Sequence, residues 1–265
     1  MGHELKRLKR RKKTLKHMED LSEREDHVLL VHYSCESFYD RPEGQTPRVT
    51  SIAVRNYSSG QTTSFSIHKI AELKGIKFAD IQDNYDDLEK EMLSEFFEFM
   101  KEHKTHDWVH WNMRDINYGF AAIEHRFRVL GGEPEVLEES RKFDLARALV
   151  SLYGTGYIGH PRLEKIIKKN KITDMNFLSG KEEADAFDNK EYVKLHQSTL
   201  RKVDVLANLL GRTLDGSLKT NAKWYEIYGF QPKVLAELIK EHWFFSLLGF
   251  IGLIIGIVAS VQSFF

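Results

Sequence analysis

Basic side chains are concentrated near the N-terminus of the chain. Eight of them fall within residues 6–16, namely Lys6, Arg7, Lys9, Arg10, Arg11, Lys12, Lys13 and Lys16. The whole chain of 265 residues has a formal net charge of zero, so general polyanion binding is excluded and the local block carries the electrostatics. Three interpretations stay open. The block can lie against acidic lipid headgroups, it can bind a nucleic-acid backbone through Lys9, Arg10, Arg11, Lys12 and Lys13, or it can be a solvated arm.

Cysteine chemistry is restricted to a single residue, Cys35. One cysteine excludes an intramolecular disulfide framework and a multi-cysteine zinc site, and it suits a reducing compartment. Because no Cys–His pattern surrounds it, Cys35 is interpreted as a small core residue rather than a nucleophile.

A long uncharged run covers Trp243–Phe265. As a helix it would extend about 34 Å, which is enough to cross a bilayer core of about 30 Å. Because the N-terminus does not have the pattern of a signal peptide, residues 241–265 are predicted to be a single-pass membrane anchor for a cytoplasmic domain. Gly252, Gly256 and Ser260 share one helical face that would let two copies pack as a homodimer, although glycine is also common in membrane helices.

Periodicity and turn signals predict one α/β domain over residues 26–240, after an N-terminal arm of residues 1–25. The β-rich runs predict strands at 27–33, 48–55, 62–67 and 108–111. Apolar residues at helical spacing predict helices at 83–104, 115–130, 144–152, 162–169 and 191–214. Three strands, a helix, a fourth strand and then mostly helices is the element order of an RNase H-like domain.

Acidic residues recur at the ends of these elements. Glu36 follows the first strand in VLLVHYSCESF, Asn112 and Asp115 follow the fourth strand in WVHWNMRDI, and Asp204 lies in the last helix in TLRKVD. Over roughly residues 27–214 these segments resemble the DEDD-type 3′-to-5′ exonucleases. The resemblance implies an α/β fold with an RNase H-like mixed sheet flanked by helices, to which one C-terminal transmembrane helix is added.

The resemblance also implies a metal-dependent chemistry. In that family four carboxylates hold two divalent ions, one of which generates the attacking hydroxide. Carried over to this chain, it implies Mg²⁺ or Mn²⁺ if the protein is active, with the metal ligands Glu36, Asp115 and Asp204 and the alternative ligands Asp40 and Asp144. Glu36 and His196 are then the catalytic candidates, with His196 replacing a missing general base.

Two positions depart from the family pattern. Ser34 stands where the family has its first aspartate, and Thr199 stands where it has histidine or tyrosine. A neutral hydroxyl is a weaker ligand for a hard cation than a carboxylate, so the metal site is expected to be weakened. Structural interpretations compete as well, because Asp115 and Asp144 can simply cap helices and Glu36 and Asp204 can be surface carboxylates.

Three functions follow from these observations. The favoured one is a degenerate exonuclease-like protein that binds nucleic acid or a nucleotide at a membrane, as a sensor or effector of antiviral defence would. The second is an active, membrane-tethered exonuclease. The third is a membrane scaffold for a protein partner, which would bind neither metal nor nucleic acid.

Overall fold

The computed structural model describes residues 3–36, 46–115, 117–229, 237 and 247–255. Five strands within these residues form one mixed sheet: β1 (Val28–Cys35), β2 (Val49–Asn56), β3 (Thr62–Ser66), β4 (Asp107–His110) and β5 (Lys142–Asp144). Their order across the sheet is β3-β2-β1-β4-β5. The protein therefore has an α/β fold with a mixed sheet flanked by helices.

The sheet combines antiparallel and parallel strand pairs. β1 and β2, and β2 and β3, pair antiparallel, with Ser34 opposite Ser51 and Ser51 opposite Ser66. β1 pairs parallel with β4, and β4 pairs parallel with β5. The carboxyl ends of β1, β4 and β5 therefore lie together at one edge, where ligands of α/β proteins commonly bind.

Helices occupy most of the remaining described chain. They are α1 (His3–Glu23), α2 (Ile67–Leu73), α3 (Tyr85–Glu102), α4 (Phe120–Val129), α5 (Leu145–Tyr153), α6 (Arg162–Lys169), α7 (Gly180–Asp188), α8 (Tyr192–Leu214) and α9 (Trp224–Tyr228). The two long helices α3 and α8 each contact the strands β2 and β3, and α8 also packs along β1. The sheet positions the site because its side chains alternate between two faces.

The two faces of β1 and β2 differ in chemistry. Val31 and Tyr33 of β1 and Ile52 of β2 join the apolar core with α3 residues such as Leu88 and Phe96. The other face is mixed, because it carries buried apolar residues such as Leu30 and Ala53 together with polar ones. The polar residues include His32, Ser34 and Ser51, and the hydroxyls of Ser34 and Ser51 contact α8.

The chain divides into two compact units. The larger comprises residues 17–148 and 158–220 and contains the whole sheet, while the smaller is formed by the described parts of residues 1–16, 149–157 and 221–265. Within the smaller unit, residues 247–255 are helical. Among the residues that the structure describes, no helix is both long and apolar enough to span a bilayer.

Most of the elements predicted from the sequence occur with bounds shifted by only a few residues. The shift is largest for α4, which begins at Phe120 instead of residue 115. The loop before it is closed by a bridge between Arg114 and Gly119. Gly119 has φ +150°, and a Cβ there would lie 2.4 Å from the carbonyl carbon of Met113, so only glycine permits this approach.

Five of the described helices and strands were not predicted from the sequence. These are α2, α7, α9, β5 and the long helix α1, which occupies most of the predicted N-terminal arm. β5 has three residues and α2 has seven, so neither shows enough periodicity to be detected.

Candidate functional site

A buried polar network lies between β1, α7 and α8 at the position of Ser34. We call it the Ser34 network and define it as Ser34, Glu183, Ser198, Thr199 and Lys202. Ser34 Oγ is 2.9 Å from Glu183 Oε1 and 2.8 Å from Thr199 Oγ1. Ser198 Oγ donates to the same Glu183 oxygen at 2.9 Å, and Lys202 Nζ lies 2.7 Å from Glu183 Oε2.

The protons of this network can be assigned from donor counts. An ionised carboxylate only accepts hydrogen bonds, so Ser34 and Ser198 both donate to Glu183. Ser198 accepts from the backbone N–H of Leu178 at 3.2 Å. The single hydroxyl proton of Thr199 faces two acceptors, Ser34 Oγ at 2.8 Å and the carbonyl oxygen of Leu195 at 2.9 Å. The Glu183 carboxylate thus receives two hydroxyl bonds and an ammonium, which balances its charge.

Burial makes this ion pair important for stability. The side chains of Glu183 and Lys202 are 12% and 6% exposed. Two opposite charges removed from water are tolerated only when each is well paired and hydrogen-bonded. The network is therefore a complete unit, in which the loss of one charge leaves the other uncompensated.

The helix that supplies Glu183 is fixed by its own start signal. Ser179 caps α7, where its side chain accepts from the N–H of Glu182 and the Glu182 side chain accepts from the N–H of Ser179. This capping box in the sequence Ser-x-x-Glu satisfies free N–H groups of the first turn. It positions the next residue, Glu183, toward Ser34.

His32 lies on the same face of β1, one alternation before Ser34. Burial, followed by the positive charge of Lys202, holds the pKa of His32 well below its usual value. Its Nε2 has no hydrogen-bond partner among the described residues, whereas Nδ1 lies 3.5 Å from the Tyr118 hydroxyl. The imidazole is therefore neutral.

Glu36 follows β1 and is paired with arginine. Arg48 Nη2 lies 3.1 Å from Glu36 Oε1, and Arg48 Nε donates to Glu36 Oε2 at 3.1 Å. The guanidinium also lies over the rings of Tyr85 and Phe187, 4.8 and 5.0 Å from their centroids. This bidentate contact between two planar groups neutralises Glu36 at the sheet edge.

Asp204 lies on α8 shortly after Lys202, but it pairs outside the Ser34 network. Its Oδ1 is 3.0 Å from Arg55 Nη1 near the end of β2, and its side chain is 42% exposed. Arg48 and Arg55 are separated by seven residues of extended chain, or about 23 Å. Because Glu36 pairs with the first and Asp204 with the second, the structure does not bring these two carboxylates to one ion.

Asp115 and Asp144 form local backbone interactions after β4 and β5. Asp115 is exposed and accepts from the N–H of Asn117 at 2.8 Å, and α4 begins only after Gly119. Asp144 Oδ1 accepts from the N–H of Arg147 at 3.1 Å, as expected for the residue that caps α5. Its other oxygen lies 2.6 Å from Arg114 Nη1.

His196 lies on the sheet-facing side of α8, one turn before Thr199. Its Nδ1 is 2.7 Å from Ser51 Oγ, and its ring meets that of His68 edge to face at 5.1 Å. Burial, aided by His68 and then Lys69, lowers the pKa of His196 to about 4. It is therefore neutral near pH 7 and engaged with β2 rather than with Glu36.

The predicted metal ligands thus have separate environments. Within the described residues, no group of three or more His, Cys, Asp or Glu side chains is arranged to hold a metal ion. Glu36 pairs with Arg48, Asp115 with a backbone N–H, and Asp204 with Arg55. As they lie in the described part of the chain, Glu36, Asp115 and Asp204 therefore do not fit a two-metal centre.

The remaining sequence candidates lie in α1 and the tail. Lys9, Arg10, Lys12 and Lys13 are exposed on α1 and Arg11 is half-buried. Gly252 lies in the helical residues 247–255 and has no heavy atom close enough to contact an added Cβ. Asp40, Gly256 and Ser260 lie outside the described residues.

Sequence reasoning missed Glu183, Ser198 and Lys202. The capping box at Ser179 was a detectable signal for α7, and therefore for a helix carrying Glu183. No comparable signal marks Lys202, because it is one of many lysines and its importance comes from a contact with another helix.

Comparisons with known proteins found no matching family model, no matching curated protein and no matching solved structure.

Proposed function

We propose that this protein is a catalytically inactive, exonuclease-like domain of RNase H-like fold, tethered to a membrane, that binds nucleic acid or a nucleotide without cleaving it. The strands β1, β2 and β3 pair antiparallel, whereas β4 pairs parallel with β1 and β5 pairs parallel with β4. This mixed sheet supports the fold part of the proposal. So do the sequence resemblances after β1 and β4.

The Ser34 network carries the inactive part of the proposal. The resemblance places the first catalytic aspartate at Ser34, where this chain has a hydroxyl bonded to Glu183. Next to Ser34, Lys202 supplies the positive charge that divalent ions supply in the family. A lysine ammonium balances Glu183 without activating water, so the network preserves local charge balance and removes the hydrolytic step.

The carboxyl edge of β1, β4 and β5 is the proposed ligand surface. Arg48 is paired with Glu36 after β1. Arg114 lies after β4, and its side chain is 49% exposed. Both guanidiniums are bound to carboxylates that can be exchanged for phosphate oxygens of similar geometry. Asn112, which the resemblance also includes, donates its backbone N–H to Asp144 beside Arg114.

The test measures binding and hydrolysis on the same samples. Full-length protein is titrated onto 3′-labelled single-stranded DNA, single-stranded RNA and a mononucleotide with Mn²⁺ present. We expect the protein to bind at least one ligand. We expect no hydrolysis, either by the wild-type protein or by the variant Asp204→Ala. Arg114→Gln should weaken binding by about tenfold, since a charged hydrogen bond is lost.

Arg128→Gln is the matched control, because Arg128 is equally exposed at 50% on the neighbouring helix α4. It should leave binding unchanged. Mn²⁺-dependent hydrolysis that disappears in Asp204→Ala would instead establish an active exonuclease. If the protein neither binds nor hydrolyses any of these ligands, the membrane scaffold is favoured.

The tether rests on the uncharged run Trp243–Phe265. Within it, large apolar side chains of the described helical residues 247–255, such as Phe250 and Leu253, are exposed. Carbonate extraction of membranes from expressing cells tests the tether. The chain should stay in the membrane fraction, and Leu253→Arg with Ile254→Arg should release it, because charges at the centre of a span are costly.

The defence setting is a further part of the proposal, suggested by the pairing of a nuclease-like domain with a membrane segment. Deletion of the gene in its host should change sensitivity to phage. Unchanged sensitivity across a phage panel would remove the defence role and leave the binding function standing.

A further inference from the structure

Helix α1 presents one continuous cationic surface within the smaller unit. Between Leu5 and Met18 it contains no acidic residue. The exposed side chains cover somewhat more than half of the helix circumference, and we call them the α1 cationic face: Lys6, Lys9, Arg10, Lys12, Lys13, Leu15 and Lys16. At 1.5 Å per residue, these cations are distributed over about 15 Å.

The opposite side of α1 contacts the chain that precedes the apolar tail. Arg11 lies over the ring of Tyr228, 5.1 Å from its centroid, and Arg7 donates to the carbonyl of Glu226. The backbone N–H of Leu5 donates to Glu237 Oε2 at 3.0 Å. These contacts join α1 to Glu226, Tyr228 and Glu237, and they leave its cations exposed.

The apolar tail follows Glu237 closely in the sequence. Nine residues lie between Glu237 and Leu247, where the helical residues 247–255 begin. That span is about 15 Å if helical and at most about 35 Å if extended. A bilayer that receives the tail would therefore lie close to the residues that α1 contacts.

We propose that the α1 cationic face binds the anionic headgroups of the membrane into which the tail inserts. The inference rests on the tether of the proposed function. Cationic side chains near an acidic bilayer each add binding energy, and the exposed Leu15 can enter the interface beside them. A nucleic-acid strand is less well matched, because the described exposed face carries no aromatic side chain on which bases could stack.

The experiment uses the full chain with two kinds of vesicle, pure phosphatidylcholine and a 7:3 mixture of phosphatidylcholine and phosphatidylglycerol. Flotation reports association, and acetylation of lysines, read by mass spectrometry, reports which surface is covered. We expect Lys9, Lys13 and Lys16 to be acetylated at least about fivefold more slowly on the anionic vesicles. High salt should abolish this protection, since the Debye length falls to about 3 Å at 1 M.

Charge-matched variants test the residues themselves. Lys9→Gln with Arg10→Gln and Lys13→Gln should abolish the lipid-dependent protection of Lys16. The control, Lys165→Gln with Lys168→Gln and Lys169→Gln, removes the same charge from exposed positions on α6 and should leave that protection intact.

The outcomes separate this inference from the tether. Flotation with both vesicles, without a difference in acetylation, keeps the tether and overturns the lipid contact of α1. Flotation with anionic vesicles alone overturns the tether and keeps the lipid contact, whereas flotation with neither overturns both. Protection of Lys9, Lys13 and Lys16 by a single-stranded DNA 20-mer, but not by anionic vesicles, would assign the face to nucleic acid.

Discussion

The two faces of the sheet bury their side chains by different physical means. Toward α3, apolar residues such as Val31, Ile52 and Phe96 pack with almost no exposure. Toward α8, Ser34 and Lys202 are equally inaccessible but depend on hydrogen bonds and charge. Apolar contacts stabilise by leaving water, whereas a buried ion pair must first compensate its desolvation.

This difference bears on why the buried ion pair is retained. A well-packed apolar substitute for a buried ion pair is often as stable as the pair itself. Apolar residues of β1 and α8, such as Leu30 and Leu206, are also fully buried and stabilise the fold. The ion pair of Glu183 and Lys202 is therefore not needed to fill this side, and its retention beside Ser34 agrees with the proposed loss of the catalytic site.

Truncation on the α3 face should have the largest effect. Phe96→Ala removes a fully buried ring and is expected to lower the free energy of unfolding by about 3 to 5 kcal/mol, measured by urea denaturation. Phe78→Ala, at a side chain that is 49% exposed, should cost about 1 kcal/mol. Equal losses at both positions would contradict the assignment of the core.

Breaking the buried ion pair should be the next largest effect. Lys202→Met leaves Glu183 charged and unpaired and should cost about 3 kcal/mol, whereas Lys194→Met on the exposed side of α8 should cost less than about 0.5 kcal/mol. Both expected losses are to be measured by urea denaturation.

The double substitution separates the two faces most sharply. Lys202→Met combined with Glu183→Leu should restore most of the stability lost in Lys202→Met, again measured by urea denaturation. If the double variant is as unstable as the sum of its single variants, the network is structural and the comparison between the faces fails.

The pH dependence of stability tests His196. Because its pKa in the folded protein is about 4, below the usual 6.5 of a histidine side chain, the unfolded chain takes up a proton first as the pH falls. Its contribution is complete above pH 6.5 and is lost toward pH 4, on the order of 2 kcal/mol. His196→Asn should flatten this part of the profile in urea midpoints, whereas His125→Asn, at an exposed position, should not.

The smallest expected effect concerns the hydroxyl of Ser34. Ser34→Ala removes one donor to Glu183 and should cost about 1 kcal/mol, and a cycle with Thr199→Val should show coupling of about 0.5 kcal/mol or more. Ser217→Ala, an exposed serine, should be nearly neutral. Additive effects of Ser34→Ala and Thr199→Val would mean that the two hydroxyls do not share a proton chain.

The sequence predicted the main framework because its signals are local. The apolar run before Ser34 and the helical spacing of Leu88, Met92 and Phe96 determined β1 and α3 within a few residues. The resemblance to the exonuclease family identified Ser34 and Thr199 as departures from the family pattern. The structure places both hydroxyls in one contact, although they are 165 residues apart in sequence.

The partners of the predicted carboxylates could not be inferred in the same way. Arginines are frequent, and nothing local distinguishes Arg48 as the partner of Glu36 or Arg55 as the partner of Asp204. The register of β2 decides that these arginines lie near opposite ends of one strand, and it separates two carboxylates that the sequence alone assigned to one site.

By itself, the sequence determined an α/β chain with a basic N-terminal block, an uncharged C-terminal run and hydroxyls at two positions where the resemblance implies an aspartate and a histidine or tyrosine. Only the tertiary structure decided that Glu183 and Lys202 meet at Ser34, that Glu36 and Asp204 are kept apart by their arginines, and that α1 contacts Glu226, Tyr228 and Glu237. Helices and strands follow from short-range periodicity, whereas charge pairing depends on which distant surfaces the packing brings together.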